Sequence, residues 1–211
     1  MPWPANSIRA VVWDWNGTLL DDVDAGMATT NQVLAEFDRP ELADRQAYRA
    51  GFGFPIRDFY TRLGFVTDEH FRAASHRYVE LFPGHLAQVR LQAHAVEVLG
   101  AVRERGLAQV LISATVTAAL HRQLEPHPVR VLLDEVLGSE DALNPSKQAV
   151  VAGWLGRQPW RPDQVLMVGD TNHDHEIAEA LGTRFAHFTG GHQTHDHASR
   201  IDDLRQVLDL L

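Results

Sequence analysis

The sequence predicts an α/β fold: a parallel sheet covered by helices on both faces, interrupted after its first strand by an inserted helical unit. Three observations carry this. From residue 92 onward, short apolar runs alternate with amphipathic helical stretches, the pattern of a parallel sheet in a three-layer core. A similar apolar run, Ile8 to Trp13, stands near the start. Between about residues 20 and 88 no strand pattern is evident, and apolar residues recur at roughly helical spacing.

The elements follow in order. Ile8 to Trp13 is a strand ending in the polar turn Asp14-Trp15-Asn16-Gly17-Thr18. Helical spacing runs from Val23 to Phe37 and through residues 41 to 82, where Gly51-Phe52-Gly53-Phe54-Pro55 breaks it. Ala95 to Arg105 is an amphipathic helix closed by Gly106. Leu107 to Ile112 is a strand ending at Ser113, and a helix follows near Val116 to Leu124. Val131 to Gly138 is apolar enough for a short strand, and Gln148 to Leu155 is helical. Gln164 to Val168 is a strand ending in Gly169-Asp170, Glu176 to Leu181 a helix stopped by Gly182, and Arg184 to Phe188 a last strand. Ser199 to Leu211 is expected to be a closing helix. Residues 1–20 and 89–211 then form the core, and residues 21–88 the insert.

Composition narrows the function. The net charge of −9 argues against a nucleic-acid or anionic-membrane partner, since both reward a basic face. A small anionic substrate needs only a local cluster of donors. With no cysteine, disulfides and thiolate metal sites are excluded. Met1-Pro2-Trp3-Pro4 lacks the basic segment and apolar run of a signal peptide, and no apolar run approaches a membrane span. A cytoplasmic protein, a monomer or weak dimer, is expected.

Polar signals stand where strands end: Asp14 with its loop through Gly17 and Thr18, then Ser113-Ala114, Lys147, and Asp170 with Asp174. In an open parallel sheet ligands bind outside the carboxyl ends of the strands, so these groups converge. Each type has a place in phosphoryl transfer. A carboxylate can attack phosphorus, splitting one hard step into two. Magnesium suits one or two carboxylates, waters and a phosphate oxygen. A hydroxyl and the N–H groups of a glycine-containing turn can hold phosphoryl oxygens. An ammonium neutralises them, and Lys147 is the single lysine of the chain.

In this order the signals strongly resemble the haloacid-dehalogenase-like hydrolase superfamily, whose first motif is a strand ending in Asp-x-Asp-Gly-Thr. The matching stretch is Val11-Val12-Trp13-Asp14-Trp15-Asn16-Gly17-Thr18. The second motif matches Leu111-Ile112-Ser113-Ala114-Thr115, the third Lys147, and the fourth Val168-Gly169-Asp170-Thr171-Asn172-His173-Asp174. The resemblance spans nearly the whole chain. It implies a Rossmann-like core with a helical C1-type cap, as in phosphoglycolate-phosphatase-like members. It also implies a small phosphorylated substrate, Asp14 as nucleophile and magnesium ligand, and Asp170 and Asp174 as further metal ligands. Ser113 and Lys147 are then phosphate binders, with Lys147 also placing Asp14.

The sequence departs from the motif at Asn16, where the family has the aspartate that serves as general acid and base. An amide cannot exchange protons at accessible pH, and losing such help costs about 10²–10⁴-fold in rate. The metal ligand at this position, a backbone carbonyl in the family, is retained by Asn16. Three readings stay open: a phosphatase with a good leaving group or another base, a slow or inactive binder of a phosphorylated ligand, and a dehalogenase. The retained Asp170/Asp174 pair weighs against the last. Asp21, Asp22, His173 and His175 are the replacement bases nearby in sequence.

Two further features remain. The Gly51–Pro55 break can present its phenylalanines to the organic group, with Arg49 or Arg57 on a second anionic group; otherwise the rings are insert core and the arginines solvated. His173, His175, His187, His192, His195 and His197 raise a zinc or nickel site on composition. A solvated histidine loop is the simpler expectation, with His192 at the active-site rim.

Overall fold

The computed structural model describes residues 7–140, 146–194, 197 and 199–211. Its sheet is built from β1 (Ala10–Trp13), β2 (Ala108–Val116), β3 (Glu135–Ser139), β4 (Val165–Gly169), β5 (Arg184–Phe188) and β6 (Arg200–Ile201). The order across the sheet is β3-β2-β1-β4-β5-β6, all parallel. This is the doubly wound order, in which the strand order reverses between β1 and its neighbour β4. Trp13 pairs with Val168 there, so Asp14 and Asp170 leave the sheet side by side.

Alternation along β1 sends Val11 and Trp13 to one face and Ala10 and Val12 to the other. The first pair joins α5 (Ala95–Glu104) and α6 (Thr117–Leu124) through Val98, Leu99, Val102, Leu120 and Leu124. The second joins α7 (Lys147–Leu155) and α8 (Asn172–Leu181) through Val151, Trp154, Ile177 and Ala178. Between β1 and α5 lie α1 (Val23–Glu36), α2 (Arg45–Gly51), α3 (Ile56–Arg62) and α4 (Asp68–His85). They bury Val33, Leu34, Tyr48, Phe59 and Phe65 in a cluster of their own. No helix among the described residues is long and apolar enough to cross a membrane.

Three elements differ from the sequence expectation. β2 does not stop before Ser113 but runs on to Val116, rejoining β3 after a register shift. α8 starts at Asn172, because Thr171 and Asp174 form a reciprocal capping box within a stretch whose polarity reads as loop. The tail is not one α-helix. Arg200–Ile201 pairs with His187–Phe188, and Leu204–Asp209 forms a 3-10 helix capped by Asp203 and Gln206. Its buried residues Ile201, Leu204 and Val207 recur every third position, a spacing that fits a 3-10 turn as well as an α-helix.

Candidate active site

Asp14 is the residue immediately beyond β1, and Lys147 is the first residue of α7, whose start the Ser146 hydroxyl caps. The lysine reaches across the sheet ends, donating to Asp14 Oδ1 at 2.6 Å and to Asp174 Oδ1 at 2.5 Å. The other Asp174 oxygen accepts from the Thr171 N–H and hydroxyl. Asp170 accepts from the Thr18 hydroxyl at 3.0 Å and from the His192 N–H at 2.6 Å. One carboxylate oxygen from each of Asp14, Asp170 and Asp174 falls within 4.8 Å of the others. Asp170 is fully buried and the Asp174 side chain 2% exposed, whereas that of Asp14 is 12% exposed. Of the three, Asp14 is the most exposed, and it lines the cavity together with Asp174.

The electrostatics follow from three carboxylates around one ammonium. Burial raises the Asp14 carboxyl well above its usual range; Lys147 opposes this, and the Asp174 and Asp170 carboxylates add to it. Asp170 is pushed up to about 6, first by burial and then by Asp174, against its bonds from His192 and Thr18. For Asp174 burial is outweighed by Lys147, and its pKa falls below the ordinary value. Burial alone would lower Lys147, but Asp14 and Asp174 hold the ammonium above its ordinary value. The site is short of positive charge.

Ser113 and Ala114 line the cavity together with Asp14. Gly17 and Thr18 do not line it. The Gly17 N–H donates to Asp22 Oδ1 at 2.7 Å and the Thr18 hydroxyl to Asp170, so their donors brace the loop from behind rather than facing a phosphate. Gly17 has φ +76°, and a Cβ there would meet Asp170 Oδ2 at 2.3 Å, which only glycine avoids.

The Asn16 amide is held at both ends. Its nitrogen donates to Asp22 Oδ2 at 2.7 Å, and its oxygen accepts from the Thr115 hydroxyl at 2.9 Å. Asp22 is fully buried and bonds as well to His192 Nε2 at 3.1 Å. That nitrogen must be the donor, since a carboxylate only accepts. Nδ1 of the same ring lies 2.9 Å from the Tyr48 hydroxyl of α2. Burial would lower the His192 pKa, but Asp22, with Asp170 and Asp14, outweighs it and raises the value. Asp22 was within reach of sequence reasoning as a neighbour of Asn16. His192 could be placed at the rim from its position after the last strand, but its partners could not be read, because they lie 170, 144 and 22 residues away.

The histidines are not a solvated loop. His187 and His192 are buried, and His175 packs against His197 with ring centroids 4.0 Å apart. His195 lies outside the described residues. Among the described residues, the cluster of three His, Cys, Asp or Glu placed to share a cation is the aspartate trio. Neither Arg49 nor Arg57 lines the cavity. Arg49 donates to the backbone oxygens of Gly191 and Thr189, strapping α2 to the loop after β5. Arg57 pairs with Asp68 and lies over the Phe71 ring. Phe52 and Phe54 do line the cavity.

Comparison with known proteins agrees with this geometry. The sequence model for the family described as "Haloacid dehalogenase-like hydrolase" matches residues 11–188. A protein named "Probable phosphatase IndB" from Dickeya dadantii is 28% identical over 196 residues, covering 88% of this chain and 83% of that one. A "Phosphoglycolate phosphatase" from Synechococcus elongatus is 23% identical over 175 residues, covering 83% and 81%. The solved structure of a predicted phosphoglycolate phosphatase from Haemophilus somnus superposes with a TM-score of 0.81 at 18% identity, over 98% of this chain and 99% of that one. The sheet order, the aspartate trio with its lysine and the match over residues 11–188 lead to one conclusion: this chain belongs to the haloacid dehalogenase-like hydrolase family.

Proposed function

We propose that the protein is a magnesium-dependent phosphatase that hydrolyses a small phosphorylated metabolite through an aspartyl-phosphate on Asp14. The observation that carries it is the Asp14 carboxylate, placed by Lys147 at 2.6 Å and partly open to a cavity of about 380 Å³. The names of the relatives, phosphatase and phosphoglycolate phosphatase, support the same reaction class.

The donor set fits a hard dication: three carboxylates with one oxygen each within 4.8 Å, and a single ammonium among them. Asp14, Asp170, Asp174 and the Asn16 carbonyl would hold magnesium, which neutralises the repulsion between these carboxylates and the phosphate. The chain's own groups do the rest. Lys147 orients Asp14 and offers positive charge to the phosphoryl oxygens. The Ser113 hydroxyl, on β2 and in the cavity lining, would bind a phosphoryl oxygen. Asn16 fixes geometry and moves no proton. Thr115 and Asp22 hold its amide in one orientation.

Turnover of p-nitrophenyl phosphate by purified protein tests this. Magnesium-dependent release that disappears in Asp14→Asn is expected. No turnover, or turnover that survives Asp14→Asn, overturns the reading.

A further inference from the structure

Opposite Asp14 the cavity wall is made by the insert, and that wall is aromatic. Phe52 and Phe54 come from the segment between α2 and α3, and Tyr78, Val79 and Phe82 from α4. The rings are already paired. Phe54 stacks on His173 at 4.9 Å and 28°, Tyr78 on Phe82 at 5.2 Å and 21°, and Phe52 meets Phe54 edge-on at 5.9 Å. Among the described residues no arginine lines the cavity, and its one lysine is Lys147, engaged by Asp14 and Asp174. The nearest arginine of α2, Arg49, is tied to backbone oxygens outside it.

This wall is a poor place for a second anion. A carboxylate close to the phosphorus would be desolvated among rings, where the two imidazoles of the lining are already engaged, His192 by Asp22 and Tyr48 and His173 by Phe54 and Glu176, a costly burial. A planar apolar group gains instead, at about 25 cal/mol for each Å² buried and about 0.5–1.5 kcal/mol for each aromatic pair. The volume lies within the range of about 300–1,000 Å³ that holds ordinary organic ligands. Asn16 points the same way from a separate observation. With an amide where a proton donor would stand, the departing oxygen receives no proton from position 16, and a phenolate leaves without one far more readily than an alkoxide.

Building on the phosphatase reading, we propose that the insert wall is an aryl subsite and that the substrate is the phosphate ester of an uncharged phenolic compound. The Asp14 carboxylate oxygen forms a bond to phosphorus while the bond from phosphorus to the phenolic oxygen breaks, its electron pair leaving as phenolate. Water then attacks phosphorus, the bond to Asp14 breaks with its pair returning to the carboxylate, and inorganic phosphate departs. One proton of that water stays on the phosphate and the other ends on the phenolate.

The test compares phenyl phosphate, benzyl phosphate and phosphoglycolate with magnesium present, and calorimetric binding of phenylphosphonate and phosphonoacetate. Phenyl phosphate is expected to exceed phosphoglycolate in kcat/KM by at least about tenfold, and benzyl phosphate by about a hundredfold or more, because benzyl alkoxide needs the missing acid. Phe54→Ala is expected to raise KM for phenyl phosphate about tenfold. Val79→Arg, a change at a residue 70% exposed, is expected to shift the preference toward phosphoglycolate about two- to fivefold. Phosphoglycolate turned over as well as phenyl phosphate overturns the subsite and leaves the phosphatase reading standing. No turnover of any ester with phenylphosphonate bound more tightly than phosphonoacetate overturns the phosphatase reading and supports the subsite. Equal binding of the two phosphonates overturns the subsite.

Discussion

The Asn16 amide nitrogen and the buried Asp22 carboxylate lie 2.7 Å apart, so the carboxylate that the family carries at position 16 has a counterpart six positions later. Restoring aspartate at 16 alone places two carboxylates where one amide hydrogen bond now stands. Two such groups share one proton. Asn16→Asp is therefore expected to destabilise the protein by about 2 kcal/mol near pH 8 and by less near pH 5.5, where a shared proton restores the bond. Asn16→Asp with Asp22→Asn reverses the amide and the acid, recovers stability, and raises turnover of benzyl phosphate about a hundredfold. Denaturant melts at the two pH values and kcat for the pair check this.

Much of this site was legible in the sequence, and what was not has a physical cause. Asp14, Lys147, Asp170 and Asp174 each sit just beyond a strand end or in the first turn of a helix, where local pattern is strong, and Ser113 follows the apolar run of β2 although the strand continues past it. The orientation of Gly17 and Thr18 depended on which acceptors stood behind the loop, and those are Asp22 and Asp170. His192 joins Asp22, Tyr48 and Asp170 from a histidine-rich stretch whose composition suggested solvent. Only the packing of α2 and the loop after β5 brings these together. The start of α8 carried a readable signal, the Thr171-to-Asp174 capping box, which composition obscured.

Lys147 is the charge that pairs with two of the three carboxylates, Asp14 and Asp174. Removing it with Lys147→Met leaves a buried cluster uncompensated, at a cost of about 3–5 kcal/mol. Part of that loss is expected to return with magnesium, since the ion takes over neutralisation. Thermal melts of this variant with and without the ion, beside the same pair for the unaltered protein, measure it.

The Asp170 carboxyl, pushed up to about 6 from 3.8, gives the metal-free protein a defined pH dependence. The folded state holds this proton more tightly than the unfolded chain does. Its contribution to stability is complete below about pH 3.8 and is lost as pH rises through about 6. Magnesium competes for the same carboxylate, so binding is expected to strengthen as pH rises through about 6. The gain in Tm at fixed magnesium should therefore be small near pH 5 and larger near pH 7. A gain independent of pH would show that Asp170 is not a ligand.

Arg49 straps the insert to the loop that carries His192, through two backbone oxygens. Arg49→Met is expected to cost about 1–3 kcal/mol and to speed hydrogen exchange at residues 189–192. The same variant should raise KM for aryl phosphates, because Phe52 and Tyr48 sit at the end of the same helix.

The central claim is that Asp14 attacks phosphorus and that no proton donor stands at Asn16. With an aryl ester the first step is fast and hydrolysis of the aspartyl-phosphate is slow, because no base at position 16 activates the water. Rapid mixing of the protein with magnesium and p-nitrophenyl phosphate is the most direct measurement. It should show a burst of nitrophenol close to one equivalent per chain, with the phosphoryl group trapped on Asp14. Linear release without a burst, with no label on Asp14 and the same rate in Asp14→Asn, would contradict it.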